Sequence, residues 1–182
     1  MITVLYEDEL ARAEPKRFGP HVLLIACLED DLKTSRRDLE DVIKAVPKKG
    51  DGNLRIALRR DIGRQGPAVA LFDHDRCRAA FGLQKSACKS QVLAAAQELA
   101  PSVRLVLLEQ NVESLIATAC RVMGDSVPIS KPTPLQRDEI LQKLAWLDAK
   151  LRLKLRRELQ SFDRLVQRVL EVVPERLKSG KS

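Results

Sequence analysis

The chain has 182 residues, of which 45% are hydrophobic and 31% are charged, a composition typical of a globular protein rather than a disordered one. No apolar run approaches the roughly 18 residues that span a bilayer, and acidic residues follow the first apolar stretch. We therefore expect no membrane segment, no secretory signal and a cytoplasmic location. The four cysteines are widely spaced, which argues against a disulfide framework and predicts small buried side chains: Cys27, Cys77, Cys88 and Cys120.

The net charge of +7 is concentrated towards the C-terminus. Residues 131–182 contain 13 Lys or Arg against 7 Asp or Glu, whereas the first 130 residues contain 19 against 18. A basic surface attracts phosphate backbones without reading their sequence, although a solvated helix face has the same composition. The C-terminal third is therefore the candidate nucleic-acid-binding part of the chain.

The N-terminal half alternates between strand-like and helix-like segments. Residues 2–6 (ITVLY) predict a buried strand. Residues 21–32 fit a buried strand or a helix, and the helix is favoured because Pro20 suits a first helical turn. The spacing of apolar residues predicts an amphipathic helix from Ser35 to Val46, with Ser35 as its N-cap. Residues 53–63 fit a strand or a helix equally well.

The second half of this region is more regular. The stretch PAVALFDHDRC (67–77) predicts a strand that ends in a polar segment, Asp73-His74-Asp75. A helix is predicted over 86–99, a strand over 103–108 and a helix from Val112 that Gly124 terminates. Strands that alternate with helices predict a three-layer α/β domain with a largely parallel sheet, Rossmann-like in outline, over residues 1–125.

A different pattern follows the proline-rich linker predicted at 126–133. Thr133, Pro134 and Gln136 form a predicted helix start with a capping box. From there apolar residues recur every three or four positions up to Val173, which predicts one helix of about 40 residues or a helical hairpin broken near Ser161. We expect this 134–174 segment to bury its apolar stripe against the α/β domain or against a second copy. Residues 175–182 read as a flexible polar tail.

Acidic residues follow three of the predicted strands. Glu7, Asp73 and Glu109 each come one or two residues after a strand, and parallel sheets bind ligands at the carboxyl ends of their strands. Carboxylates are the ligands that Mg²⁺ prefers, so Asp73 and Asp75 could hold one ion together with Glu7. The alternative is a solvated turn, since aspartate is favoured in turns and a single Asp-x-Asp is more typical of one.

This order of residues resembles the TOPRIM (topoisomerase-primase) domain, including the stand-alone nucleases that carry that fold. The family places a glutamate after its first strand, as ITVLYE does here, and an Asp-x-Asp pair after a later one, as PAVALFDHD does. The resemblance implies that Asp73 and Asp75 bind Mg²⁺ or Mn²⁺ and that Glu7 is a ligand or a general acid or base. Further acidic candidates are Asp8, Glu109 and Glu113. The implied activity is metal-dependent nuclease or related phosphodiester chemistry, and stand-alone nucleases of this kind are compatible with a defence system.

A basic cluster lies in the helical segment, and we take it as the candidate contact with the nucleic-acid phosphate backbone: Lys150, Arg152, Lys154, Arg156 and Arg157. A solvated helix face is the more usual meaning of such a cluster. Aromatic residues make up only 3% of the chain, which argues against base stacking on single strands. The alternative function is a non-enzymatic α/β interaction module with a degenerate acidic site, which forms a homodimer or binds a partner protein through residues 134–174.

Overall fold

The computed structural model describes residues 1–7, 19–60, 66–108, 112–127, 132–146 and 148–178. Within these ranges the side chains at positions 51, 74–76, 112 and 134 are outside the described part. Everything stated below about the structure refers to the described residues.

Four parallel strands form one sheet in the order β2-β1-β3-β4. The strands are β1 (Ile2–Glu7), β2 (Ile43–Lys48), β3 (Ala68–Asp73) and β4 (Val103–Leu108). The central strand β3 is buried along its whole length, as expected for a parallel strand covered on both faces. The predicted α/β fold with a parallel sheet is therefore confirmed, and the predicted strand at 103–108 has the bounds of β4.

Helices account for most of the other described residues. They are α1 (Pro20–Leu32), α2 (Arg36–Val42), α3 (Gly50–Arg59), α4 (His74–Ala80), α5 (Lys89–Leu99), α6 (Val112–Met123), α7 (Pro134–Trp146), α8 (Ala149–Glu158), α9 (Gln160–Leu170) and α10 (Glu175–Lys178). Both ambiguous segments are thus helical where they are described, which confirms the preference for a helix after Pro20. None of the described helices is long and apolar enough to cross a membrane.

The helices cover the two faces of the sheet in separate layers. Helices α1, α2, α6, α7, α8 and α9 bury side chains in one core cluster with Val4 and Leu71. Helices α3, α4 and α5 border the other cluster, which contains Leu5 and Phe72. Alternate strand residues thus enter opposite cores, and the protein has three layers with the sheet in the middle.

The predicted helix over 35–46 is wrong in its second half. Ser35 does cap α2, because its hydroxyl accepts a hydrogen bond from the Asp38 backbone at 3.2 Å, but the helix ends at Val42. Residues 43–48 form β2, which pairs with β1 over six positions. The apolar residues in this stretch are spaced as a helix face requires, so periodicity alone could not separate a short helix from the strand after it. Pro47 is tolerated because β2 is an edge strand of the described sheet.

The segment predicted as one long helix or a hairpin consists of three helices. Thr133 and Gln136 form the predicted capping box, with backbone-to-side-chain hydrogen bonds of 2.9 and 3.3 Å. Asp148 caps α8 by accepting a hydrogen bond from the Lys150 backbone, which marks the first division. Leu159, with φ −122° and ψ 80°, marks the second division, two residues before the predicted break near Ser161.

The apolar stripe of these helices packs against the rest of the chain. Leu144, Leu155, Phe162 and Val166 are fully buried in the same cluster as α1, α6 and the sheet. Of the two expected modes of burial, against the α/β domain or against a second copy, the structure therefore shows the first. The apolar stripe is therefore buried within one chain, and helices α7–α9 form part of one outer layer.

Ser161 is a buried hydroxyl whose Oγ has no hydrogen-bond partner among the described residues. Because a buried polar group without a partner loses its hydration and gains nothing, we expect Ser161→Ala to raise the free energy of unfolding by about 1 kcal/mol. Ser35→Ala is the matched control, since it removes a hydroxyl that caps a helix and should lower stability by about 1 kcal/mol. Urea denaturation of the three proteins measures both shifts, and destabilisation by Ser161→Ala would contradict the assignment.

Three of the four cysteines are buried, as predicted, and the fourth is not. Burial raises the pKa of the Cys27 thiol to about 12, which keeps that group neutral. Cys88 is exposed because it occupies the N-cap of α5, and its Sγ lies 3.0 Å from the Ser90 hydroxyl. That hydrogen bond lowers the pKa of the Cys88 thiol below its ordinary value.

Candidate functional site at the carboxyl edge of the sheet

The strand order places the topological switch point of the sheet, where open parallel sheets have their ligand crevice, between β1 and β3. The chain leaves β1 towards β2 on one side and leaves β3 towards β4 on the other, so the connections diverge above this pair of strands. Open parallel sheets bind their ligands at such a switch point, outside the carboxyl ends of the strands. The last residues of β1 and β3 are Glu7 and Asp73, and both therefore flank the crevice.

Glu7 and Asp73 are close along the sheet. Tyr6 is in register with Leu71, so Glu7 is level with Phe72 and one residue short of Asp73. Glu7 is half-buried, whereas only 5% of Asp73 is exposed. The sequence prediction that these two acidic residues share one edge of a parallel sheet is consistent with this register.

The pleat of the strands directs these two carboxylates to opposite sides. Leu5 and Phe72 belong to one core cluster, and Tyr6 and Leu71 belong to the other. Continued alternation puts Glu7 on the side of Phe72, and Asp73 on the side of Leu71. A ligand that contacts both side chains must therefore lie beyond the strand ends, in the crevice itself.

Asp73 also occupies the N-cap position of α4, which starts at the next residue. The sequence leaves a metal-binding segment and a solvated turn open for Asp73-His74-Asp75, and the structure shows an immediate passage from strand into helix. Cys77 of α4 is buried in the core cluster that contains Leu5 and Phe72, and this contact holds the helix against the sheet. A carboxylate at a helix start is also stabilised by the backbone dipole, which is an ordinary structural role for Asp73.

Of the remaining acidic candidates, Glu113 is the one whose side chain is described. Asp8 and Glu109 lie outside the described residues, and so does the side chain of Asp75. Glu113 lies in the first turn of α6, the helix that follows β4, and is half-buried. Among the described residues there is no group of three or more side chains placed to hold a metal ion. The described carboxylates at the crevice are the pair Glu7 and Asp73.

Their chemistry fits Mg²⁺ or Mn²⁺ as far as the described residues extend. Both groups offer oxygen atoms, and Mg²⁺ in proteins is usually held by one or two carboxylates together with water and substrate phosphate. The two side chains at the switch point are sufficient for that mode of binding. Closed sites made of protein ligands alone would need more donors.

A tyrosine and a histidine stand beside the acidic pair, and sequence reasoning gave them no role. The Tyr6 hydroxyl lies 2.8 Å from His21 Nδ1, and the two rings stack with centroids 5.5 Å apart. Gly19 allows this contact, because a Cβ at that position would come within 2.8 Å of the Tyr6 ring. The Gly-Pro-His start of α1 after a strand ending in Tyr-Glu was the available signal, and it is weak. The contact fixes the first turn of α1 at the carboxyl end of β1.

Comparison with known proteins adds no assignment to this geometry. Scans against protein-family models, curated proteins and solved structures find no match to the chain.

Two of the five predicted phosphate contacts are occupied inside the protein. Arg152, only 9% exposed, makes a bidentate ion pair with Asp30 at 2.6 and 2.7 Å and donates to the Ala145 carbonyl at 3.1 Å. Arg156 donates to Asp31 at 2.8 Å and to Asp163 at 2.6 Å. These arginines hold α8 to the end of α1, so neither is a surface cation. Their i, i+4 spacing directs them to the inner face of α8, which the charge count alone could not reveal.

The other three predicted cations, Lys150, Lys154 and Arg157, are exposed on the outer face of α8. This face is remote from the acidic crevice. Helix α1 starts beside Tyr6 at the carboxyl end of β1 and runs for 13 residues, or about 20 Å, before its last turn meets Arg156. The basic part of α8 therefore lies towards the amino end of the sheet. Lys150, Lys154 and Arg157 therefore do not line the crevice between Glu7 and Asp73.

Proposed function

We propose that this protein is a Mg²⁺- or Mn²⁺-dependent phosphodiester-processing enzyme, most simply a nuclease, whose site is the crevice between β1 and β3. The observation that supports the proposal most directly is the position of Glu7 and Asp73 at the carboxyl ends of adjacent strands, at the switch point of a parallel sheet. The strand order alone indicates a ligand site at this edge of the sheet, and the acidic residues lie at the same edge.

The roles of the residues follow from their surroundings. Asp73, nearly buried and fixed at a strand-to-helix junction, is the rigid metal ligand, and Asp75 is the proposed second ligand. Glu7 is more accessible, so it is the residue that accepts a proton from an attacking water in the crevice. A bound divalent ion would neutralise phosphate charge and lower the pKa of its water. The stacked Tyr6 ring orients His21 at the rim of the same crevice.

The test is metal-dependent cleavage of plasmid DNA and of RNA by the purified chain. We expect Asp73→Asn to abolish cleavage, and we expect Glu7→Gln to slow it by about 10²- to 10⁴-fold, the usual contribution of a general base. Glu40→Gln, an equal change of charge at an exposed site on α2, is the control and should cut like the wild type. Thermal melting with and without Mg²⁺ gives a second measurement, in which the metal should stabilise the wild type and Glu40→Gln but not Asp73→Asn.

A non-enzymatic interaction module remains the second candidate. Two observations favour it: Asp73 is the N-cap residue of α4, and Glu7 is in register with Lys48 of the neighbouring strand. Both carboxylates thus have structural roles open to them that need no metal. The absence of cleavage of either nucleic acid, together with melting curves that do not respond to Mg²⁺ or Mn²⁺, would support the module and contradict the enzyme.

A further inference from the structure

A basic groove lies where helices α8 and α9 meet. Its volume is about 540 Å³, and its lining consists of Leu153, Arg156, Arg157, Gln160, Asp163 and Arg164. The groove lies at the division of the helical segment at Leu159, and residues of both α8 and α9 line it. One continuous helix would present the same cations along a straight line.

The charges in the groove fall into two groups. Arg156 is held by Asp163 and Asp31, so its single positive charge is fully paired inside the protein. Arg157 and Arg164 are both exposed, and Arg157 has no acidic partner among the described residues. The lining of the groove contains three arginines against one aspartate, so it carries a net positive charge.

The cations continue beyond the groove along α8. Lys150, Lys154 and Arg157 follow one another at intervals of four and three residues on its outer face and span about 10 Å. Lys154 meets Glu158 only at 4.0 Å, an exposed pair that contributes little. Together with Arg164, which lines the groove beside Arg157, these side chains form a set of four exposed cations, which we call the basic row.

We propose that the basic row binds the phosphate backbone of a double-stranded nucleic acid. Long flexible cations in a groove and on the helix face beside it suit a ridge of regularly spaced phosphates, and a duplex carries one such charge for every 1.7 Å or so of its axis. A lipid surface is flat and fits a groove less well, and Leu153 is the one large apolar side chain in the lining of the groove. The binding is independent of sequence, because the row offers charge and no aromatic platform.

This surface goes beyond the proposed function and does not depend on it. The groove is anchored to the last turn of α1 and the crevice to its first turn, so about 20 Å separates them. Duplex binding should therefore persist in Asp73→Asn. A nuclease that uses both surfaces would grip the duplex several base pairs away from the bond that it cuts.

The experiment measures the affinity of the full chain for short fluorescein-labelled DNA and RNA duplexes over a range of salt concentrations. Four phosphate contacts predict a slope of log K against log salt of about −3.6. We expect Arg157→Gln/Arg164→Gln to weaken binding of either duplex and to make the slope shallower by about 2. The control is Arg59→Gln/Arg60→Gln, which removes two exposed charges at the end of α3, on the other side of the sheet, and should leave the slope unchanged.

Equal losses in the two double variants would overturn the proposal, because they would show a response to net charge rather than to this row. Failure of the wild type to bind either duplex, with or without binding to phosphatidylserine vesicles, would overturn it as well. Melting temperatures of both variants should match the wild type, since all four substituted arginines are exposed.

Discussion

Asp30→Ala should lower the free energy of unfolding by about 3 kcal/mol, a large part of the stability of an ordinary domain. Asp30 forms both hydrogen bonds of the bidentate pair with Arg152, whose side chain is only 10% exposed. These hydrogen bonds also raise the pKa of Arg152, so it remains a cation at every accessible pH. Removal of Asp30 leaves the nearly buried Arg152 cation without its carboxylate, and burial of a charge that no opposite charge compensates is costly.

A second reason for the pair lies in the direction of α1. Asp30 and Asp31 are in its last turn, where the helix dipole disfavours negative charge, and that turn has no basic residue of its own. Arg152 and Arg156 supply the missing positive charges from α8. The ion pairs thus join α8 to α1 and offset an unfavourable helix end.

The double variant Asp30→Leu/Arg152→Met distinguishes the loss of the ion pair from the cost of leaving one buried charge behind. Because both charges are then replaced by apolar groups of similar size, most of the stability lost in Asp30→Ala should return. Lys178→Met breaks the exposed pair with Glu175 and is the control, with an expected change below about 0.5 kcal/mol. Chemical denaturation of these variants measures the differences. A loss below 1 kcal/mol in Asp30→Ala would show that water screens the pair despite its low exposure.

The parts of the fold that could be predicted from the sequence are those with strong local signals. The strand at 103–108 is a continuous apolar run, and the Thr133-Pro134-Gln136 start of α7 combines a cap with a proline at the first helical position. Gly124 ends α6 with φ +77°, a backbone conformation that favours glycine. In each case a few neighbouring residues determine the structure without help from the rest of the chain.

The rest depends on contacts between residues far apart in the sequence. Leu159 interrupts the helical segment although it is neither glycine nor proline, and its side chain is buried, so packing against the core selects the break. The partner of Arg152 lies 122 positions earlier, which no local pattern can indicate. For the candidate site, the sequence is sufficient to assign Glu7 and Asp73 to one edge of the sheet. That their side chains lie on opposite faces of the sheet follows only from the register between β1 and β3.

Removal of residues 128–182 should prevent the remaining chain from folding cooperatively. The deleted part contributes nine buried apolar side chains to the core on one face of the sheet: Leu141, Leu144, Leu155, Leu159, Phe162, Leu165, Val166, Val169 and Val173. Each such side chain is worth roughly 1.5–3 kcal/mol when buried, so their combined loss exceeds the net stability of a typical domain. The truncated chain would also leave Asp30 and Asp31 without the arginines of α8.

The control is a chain that ends at Pro174, which removes α10 and the following residues. Helix α10 has no buried residue, and of its side chains only Leu177 packs partly against the core, so this shorter chain should keep a single cooperative transition close to that of the full protein. Near-ultraviolet circular dichroism and thermal melting compare the three chains. Retention of a sharp transition by residues 1–127 would mean that the sheet and its first helices form an independent domain. We expect no cooperative transition in residues 1–127, because α1 and α6 bury their inner faces against α7, α8 and α9.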